Sequence, residues 1–199
     1  MTPEPNPPPL FPKRTLLILG LLTLVVPAVF GAQPLRAEVA VAPEKNPPGD
    51  IPDTQAFVTY TSDSGYSLTV PEGWARSDAG DSVKFIDKLD GLSVAITPAT
   101  TAPTLNWVKR NYLPSLTKTG RAVKVLSVSS ETLPGGPTIR ITYSSNSEPN
   151  PVTSKQVRLE NERYLFFANG KLAALDLYAP LGSDNVDQWR LMSRSFGWR

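Results

Sequence analysis

Neither cysteine nor histidine occurs among the 199 residues of this chain. Without cysteine there is no disulfide frame, no thiolate metal ligand, no thiol nucleophile and no site for a lipid on sulfur. Without histidine the Ser-His-Asp and Cys-His arrangements are excluded, along with imidazole metal sites. A surplus of charge is lacking as well. The formal charge is +2, but Lys13, Arg14, Arg36 and Glu4 all precede Glu38, and the remainder carries 17 basic and 17 acidic residues. A neutral domain has no basic footprint for neutralising phosphates, so nucleic acid is not an expected partner.

Proline, by contrast, is abundant, with 21 residues concentrated towards the N-terminus. Lys13-Arg14 followed by the apolar run Leu16 to Val26 has the form of an export signal, broken by Pro27 and Gly31. Cleavage after Gly31 (Val29 at −3) or after Ala37 (Leu35 at −3) are the two options for a removed signal; an uncleaved anchor from Thr15 to Ala32 is the rival. Under either reading the positive residues keep the N-terminal end inside, and the domain lies outside the cytoplasm. Residues 1–37 are thus a signal peptide or membrane anchor. Residues 38–53, with Pro43, Pro47, Pro48 and Pro52, are expected to form a disordered, extended linker, leaving 54–199 as the folded domain.

Within that domain, Tyr66, Leu68 and Val70 alternate with Ser67 and Thr69, the period of a half-buried strand. Pro71 removes a ladder donor, Gly73 permits a bend, and Trp74 is delivered just beyond to close one edge of a core. Further strands are expected at Phe57–Tyr60, Ser82–Asp87 and Leu92–Thr97, the last two joined by Asp90-Gly91 as a tight hairpin turn. Leu105, Val108, Tyr112 and Leu116 give an apolar stripe that predicts a helix from Thr104, its N-cap, to about Thr119, with a bend near Asn111 imposed by Pro114. Strands follow at Ala122–Ser130, Thr138–Ser145, Lys155–Ala168 and Lys171–Ala179, with Asn169-Gly170 as a second hairpin turn. Ser183-Asp184 then caps a terminal helix whose inner stripe is Val186, Trp189, Ser193 and Phe196. The order predicts an α+β fold, an antiparallel sheet of about 6–8 strands flanked by helices.

The segment Tyr-Ser-Leu-Thr-Val-Pro-Glu-Gly-Trp at 66–74, the Val83–Ile96 hairpin, the helix in mid-chain and the closing Trp189…Ser195-Phe196 resemble the PsbP-like family. That family includes the photosystem II extrinsic protein PsbP, a Ran-binding protein of eukaryotes and LpqN-like bacterial envelope proteins. The resemblance spans Phe57 to Phe196 and implies an α/β/α sandwich with a non-catalytic binding or assembly role, lumenal if the source is photosynthetic. No photosystem-docking motif can be matched residue by residue. A lipobox cysteine, frequent in the bacterial relatives, is absent, so lipid anchoring is not carried over.

Each group with potential chemistry also has a plain structural reading. Ser115-Leu116-Thr117-Lys118 matches a S-x-x-K string and would support a Ser/Lys hydrolase, against a solvated helix end. Asp78, Asp81, Asp87 and Asp90 could offer hard oxygens to calcium, with Asp78 and Asp81 as the core of such a site; solvated turn carboxylates are the alternative. Arg158, Glu160 and Glu162 share one strand face as paired surface charge. Lys109, Arg110, Lys118, Arg121 and Lys124 cluster around the first helix and could meet anionic lipid or an acidic partner, or simply water. Trp74, Trp189 and Phe196 read as core, whereas Trp107 and Trp198 read as exposed. Exposed tryptophan is enriched at contact sites, so Trp107, Lys109, Arg110 and Trp198 are the candidate partner-contact residues. The expected function is an exported, non-catalytic domain that binds a protein or envelope partner. The alternatives are a carrier of a small apolar or amphipathic ligand between sheet and helices, and the hydrolase.

Overall fold

Residues 38–199 are described in this computed structural model, so the export segment expected over 1–37 lies outside the described residues. The strands are β1 (Phe57–Ser62), β2 (Tyr66–Pro71), β3 (Ala75–Ala79), β4 (Ser82–Asp87), β5 (Asp90–Pro98), β6 (Lys124–Leu133), β7 (Gly136–Asn146), β8 (Arg158–Ala168), β9 (Lys171–Pro180) and β10 (Gly197–Trp198). Between β5 and β6 runs a helix made of α1 (Leu105–Trp107), a π-helical turn (Val108–Tyr112) and α2 (Leu113–Thr119); α3 (Val186–Ser195) lies between β9 and β10. Seven strands form an antiparallel sheet in the order β3-β4-β5-β9-β8-β7-β6. A second sheet, β1-β2-β10, pairs Tyr66 of β2 with both Ser62 and Trp198. The α+β class is as expected. The opening hairpin nevertheless leaves the main sheet: beyond Pro71 the chain turns through Gly73 at φ +85°, and the C-terminal residues supply the second partner of β2.

The two faces of the main sheet are covered by different elements. Ala173, Leu175, Leu177 and Ala179 of β9 face one core, with Tyr66, Leu68 and Val70 of β2, Trp189 and Met192 of α3, and Phe196. Phe196 stacks on Phe166 with ring centroids 4.4 Å apart and on Tyr66 at 5.5 Å. Trp74 is half-buried at the rim of this core. On the other face Val108 and Leu116 of the mid-chain helix pack on Ile139, Ile141, Tyr143 and Leu165. Alternating side chains of each strand therefore serve different layers, as the period of two demands.

Several local expectations need correction. Strand β3, Ala-Arg-Ser-Asp-Ala, has every residue exposed and no apolar alternation, so periodicity does not reveal it; an edge strand needs only its ladder, here Ala75↔Ile86 to Ala79↔Ser82. Asp90-Gly91 is not the hairpin turn. Asp87 pairs with Asp90 and the turn is Lys88-Leu89, with Lys88 at φ +52°. At Gly91 the end of the Tyr178 ring instead lies where a Cβ would stand, so a side chain there would have to displace it. Asn169-Gly170 does form the expected turn, both residues having positive φ. Helix α3 begins after Asn185, not after Ser183-Asp184, and Val186 is exposed, so the buried stripe is Gln188, Trp189, Met192 and Ser193 followed by Phe196.

Residues 38–53 are no free linker. The Glu38 carboxylate accepts hydrogen bonds from Asn146, Gln156 and Arg121 at 3.0, 2.6 and 2.9 Å. Ile51 is 4% exposed within the larger core. Its amide and the Gly49 carbonyl are both held by the Asn185 side chain, and its carbonyl accepts from Gln188. Proline keeps the segment extended but does not prevent docking, because buried amide side chains take over the hydrogen bonds that a ladder would supply.

Candidate functional site

The site begins with a local conflict in the mid-chain helix. Thr104 caps it as expected, its Oγ1 accepting from the Trp107 amide at 3.1 Å. Ten residues on, Pro114 has no N–H to give to the Arg110 carbonyl, and its ring would press against that carbonyl in a regular α-helix. The helix widens instead of breaking: Leu113 donates to Val108, five residues back, which closes a π turn over Val108–Tyr112. The bend expected near Asn111 is therefore a π turn, and α2 continues to Thr119.

That turn decides which side chains are neighbours. Residues five apart in an α-helix lie about 140° apart around the axis, from 3.6 residues per turn. One inserted residue brings them back to nearly the same side, as residues four apart would be. The rings of Trp107 and Tyr112 consequently sit 6.0 Å apart at an angle of 44°. Trp107 is 42% exposed and Leu105 37% exposed. Beside them the segment 97–104 returns from β5, and with Gly170 and Leu172 it encloses an open groove of about 680 Å³. Pro98, Ala99, Ala102 and Pro103 supply apolar wall.

Tyr112 is fixed from beneath. Its hydroxyl accepts from Arg163 Nη1 at 3.1 Å, and the guanidinium is held by Asp176 through contacts of 2.5 and 2.7 Å. Tyr143 donates to the same carboxylate at 3.3 Å. Burial alone would pull the Arg163 guanidinium down, but the Asp176 carboxylate outweighs it and holds the group above its ordinary value. Burial pushes the Tyr112 and Tyr143 phenols up, so both remain neutral donors and acceptors. Strand β8 supplies Arg163 and strand β9 supplies Asp176, which are register partners. The tyrosine floor of the groove is thus bolted to the centre of the sheet. Sequence reading missed this network: Arg163 and Asp176 are ordinary charged residues until the register of β8 on β9 places them opposite each other.

Of the candidate contact residues, Trp107, Lys109 and Arg110 are each exposed on this helix. Trp198 is elsewhere, and its expected exposure is wrong. It is half-buried in β10, edge-on to Phe196 at 5.5 Å, with its indole Nε1 buried and without a partner. Arg158 is also no surface charge. It is buried and donates to the Ala122 carbonyl, Asn146 and Ser144, because the connection from α2 to β6 folds over it. Glu162 on the same face pairs with Arg140 and accepts from Tyr164.

The other expectations find little support in the geometry. Asp78 is paired with Arg76 at 2.8 Å and Asp81 accepts from Ser64, while Asp87 and Asp90 lie at the opposite end of β4. Among the described residues no three acidic side chains come together as metal ligands would. Ser115 and Lys118 both stand exposed on α2, the solvated helix end of the plain reading. The space between the main sheet and α3, where an enclosed ligand would sit, is occupied by Tyr66, Tyr164, Phe166 and Phe196.

No protein-family model matches the sequence, and no curated protein matches it either. Solved structures do. The cyanobacterial PsbP (CyanoP) of Synechocystis superposes with a TM-score of 0.51 at 17% identity, over 76% of this chain and 98% of that one. The Saccharomyces cerevisiae Ran-binding protein Mog1p gives 0.49 at 11% identity, over 73% of this chain and 96% of that one. LpqN of Mycobacterium tuberculosis, described as involved in cell envelope biogenesis, gives 0.41 at 13% identity, over 73% and 91%. The likeness to the Synechocystis protein shows that this chain has the PsbP-like fold, as the segment at 66–74 implied.

Proposed function

We propose that this protein is an exported, non-catalytic binding domain that serves as an assembly factor at a cell envelope or photosynthetic membrane, and that it grips a partner protein through the groove at Trp107. One observation carries the reading: an exposed tryptophan is set beside a tyrosine by a π turn, and that tyrosine is held by a half-buried ion pair. The exposed part of a large indole gains nothing for folding, whereas rigid aromatic rings beside an apolar recess are what interface anchors require. π turns are frequent at functional sites. Export is supported by Lys13-Arg14 and the apolar run behind it. Among the described residues no helix is long and apolar enough to cross a membrane.

The test is photo-crosslinking in cells, with a light-activated residue in place of Asn106, which is exposed next to Trp107. A discrete adduct that disappears in Trp107→Ala is the expected result. Equal labelling from the same probe at Asp78, on the far edge strand, would show the adduct to be nonspecific and remove the reading.

A further inference from the structure

The charge of this domain is balanced in total but not in placement. From Gly91 to Ser130 the chain has no acidic residue at all, while it carries Lys109, Arg110, Lys118, Arg121 and Lys124. Arg121 is neutralised by Glu38 and Glu148 at 2.9 and 2.8 Å. The other four are exposed, and among the described residues none of them has a carboxylate within ion-pair distance. The groove of Trp107 is lined from 97–104, Trp107 and Tyr112, entirely within this stretch apart from Gly170 and Leu172. The helix that contributes Trp107 and Tyr112 to the recess thus carries the unpaired cations Lys109, Arg110 and Lys118 in a domain that is neutral in total.

We infer that the groove takes an extended acidic segment of a partner protein, with an apolar or proline side chain seated against Trp107 and carboxylates running along the helix towards Lys118. This rests on the reading that Trp107 is a protein contact. Trp107 and Lys118 are eleven residues apart, which is about 17 Å along a helix. That is the reach of roughly five residues of extended chain. Exposed ion pairs contribute about 0–1 kcal/mol each, so the anchor in the groove sets affinity while the cations set orientation, on-rate and the exclusion of basic competitors. A concave recess with rings on one wall fits an inserted side chain. A bilayer surface would instead call for a protruding apolar ridge, and Trp107 lines the wall of a hollow.

The experiment uses the full chain and two glutamate-rich synthetic peptides that differ only in a central Pro-Leu-Pro or Gly-Ser-Gly. The first is expected to bind and the second to bind at least about tenfold more weakly, since a filled anchor pocket is worth at least that factor. Trp107→Ala should erase the difference between the peptides. The pair Lys109→Glu and Arg110→Glu should weaken the first peptide several-fold at low salt, and the loss should shrink as salt is raised. Phosphatidylglycerol vesicles form the other arm: wild type and Trp107→Ala should partition to them alike, since the indole is not a membrane anchor. Binding of neither peptide overturns the inference, as does charge reversal that lowers partition to these vesicles but leaves peptide binding unchanged. A crosslink at Asn106 that survives while charge reversal has no effect removes only the acidic partner; loss of that crosslink removes the underlying reading too.

Discussion

Asn146 and Asn185 hold the N-terminal strap in the same way, ten residues apart along it. The Asn146 amide donates to the Val39 carbonyl at 2.9 Å and accepts from the Val41 amide at 3.1 Å. The Asn185 amide donates to the Gly49 carbonyl and accepts from the Ile51 amide, both at 2.7 Å. Each reads one carbonyl and the N–H two residues on, the repeat of an extended backbone, and Asn146 adds a bond to the Glu38 carboxylate at 3.0 Å. Both asparagines are buried, so the strap satisfies them as much as they secure it.

Asn185→Ala should lower the free energy of unfolding by about 1–3 kcal/mol, the cost of leaving buried backbone groups without partners. Denaturant titration measures it, and hydrogen exchange at the Ile51 amide should rise in parallel. An Ile51 amide already exchanging freely in the wild type would show that the strap is not docked.

Gly91→Ala is expected to destabilise by roughly 1–3 kcal/mol, because the new methyl must displace the Tyr178 ring. Adding Tyr178→Ala should then cost less in the Gly91→Ala background than in the wild type. A double-mutant cycle with no coupling would contradict this packing.

Asp90 supplies the pH dependence. It is 7% exposed with Oδ1 lacking a partner, and burial first, then the neighbouring Asp87 and Asp50 carboxylates, push its carboxyl up to about 7 from an ordinary 3.8. The folded protein thus keeps a proton that the unfolded chain has released. Stability should fall as pH rises from about 4 to about 7 and level off above, by at most about 4 kcal/mol. Asp90→Asn should flatten that slope. Unfolding midpoints at pH 5, 6, 7 and 8 decide it; a wild-type profile matching that of the asparagine variant would dismiss the assignment.

Asp176→Asn should cost roughly 3 kcal/mol, since it leaves the Arg163 guanidinium without its counter-charge beneath the groove. Replacing both by apolar residues of similar volume should recover much of that loss. Tyr112 would still lack its hydrogen bond, so binding at the groove should remain impaired. Restored stability with unimpaired binding would mean that the ion pair does not position the tyrosine.

Phe196→Ala, which removes a ring stacked on Phe166 and Tyr66, is expected to cost about 3–5 kcal/mol. Trp198→Phe should cost under about 1 kcal/mol, because the indole N–H it removes makes no hydrogen bond. Thermal melts of the two variants test the contrast.

Alternation and turn chemistry in the sequence by themselves determined the α+β class, the apolar face of Tyr66, Leu68 and Val70, the capped helix at Thr104, the Asn169-Gly170 hairpin and the burial of Trp189 and Phe196. These rest on interactions between residues close in the chain, where a period of two or of 3.6 fixes which face is wet. The exposure of Trp107 was legible from its polar neighbours Asn106 and Lys109. Only the tertiary structure decided the remainder. Gly91 looked like a turn residue until Tyr178, 87 positions away in the chain, was seen to lie over it. The proline-rich 38–53 looked free until Asn146, Asn185 and Gln188 converged on its backbone. Tyr112 is fixed at the groove because Arg163 and Asp176 meet across β8 and β9 beneath a π turn. Pairings between distant residues depend on strand register and on which layer covers which face, and no local pattern carries that information.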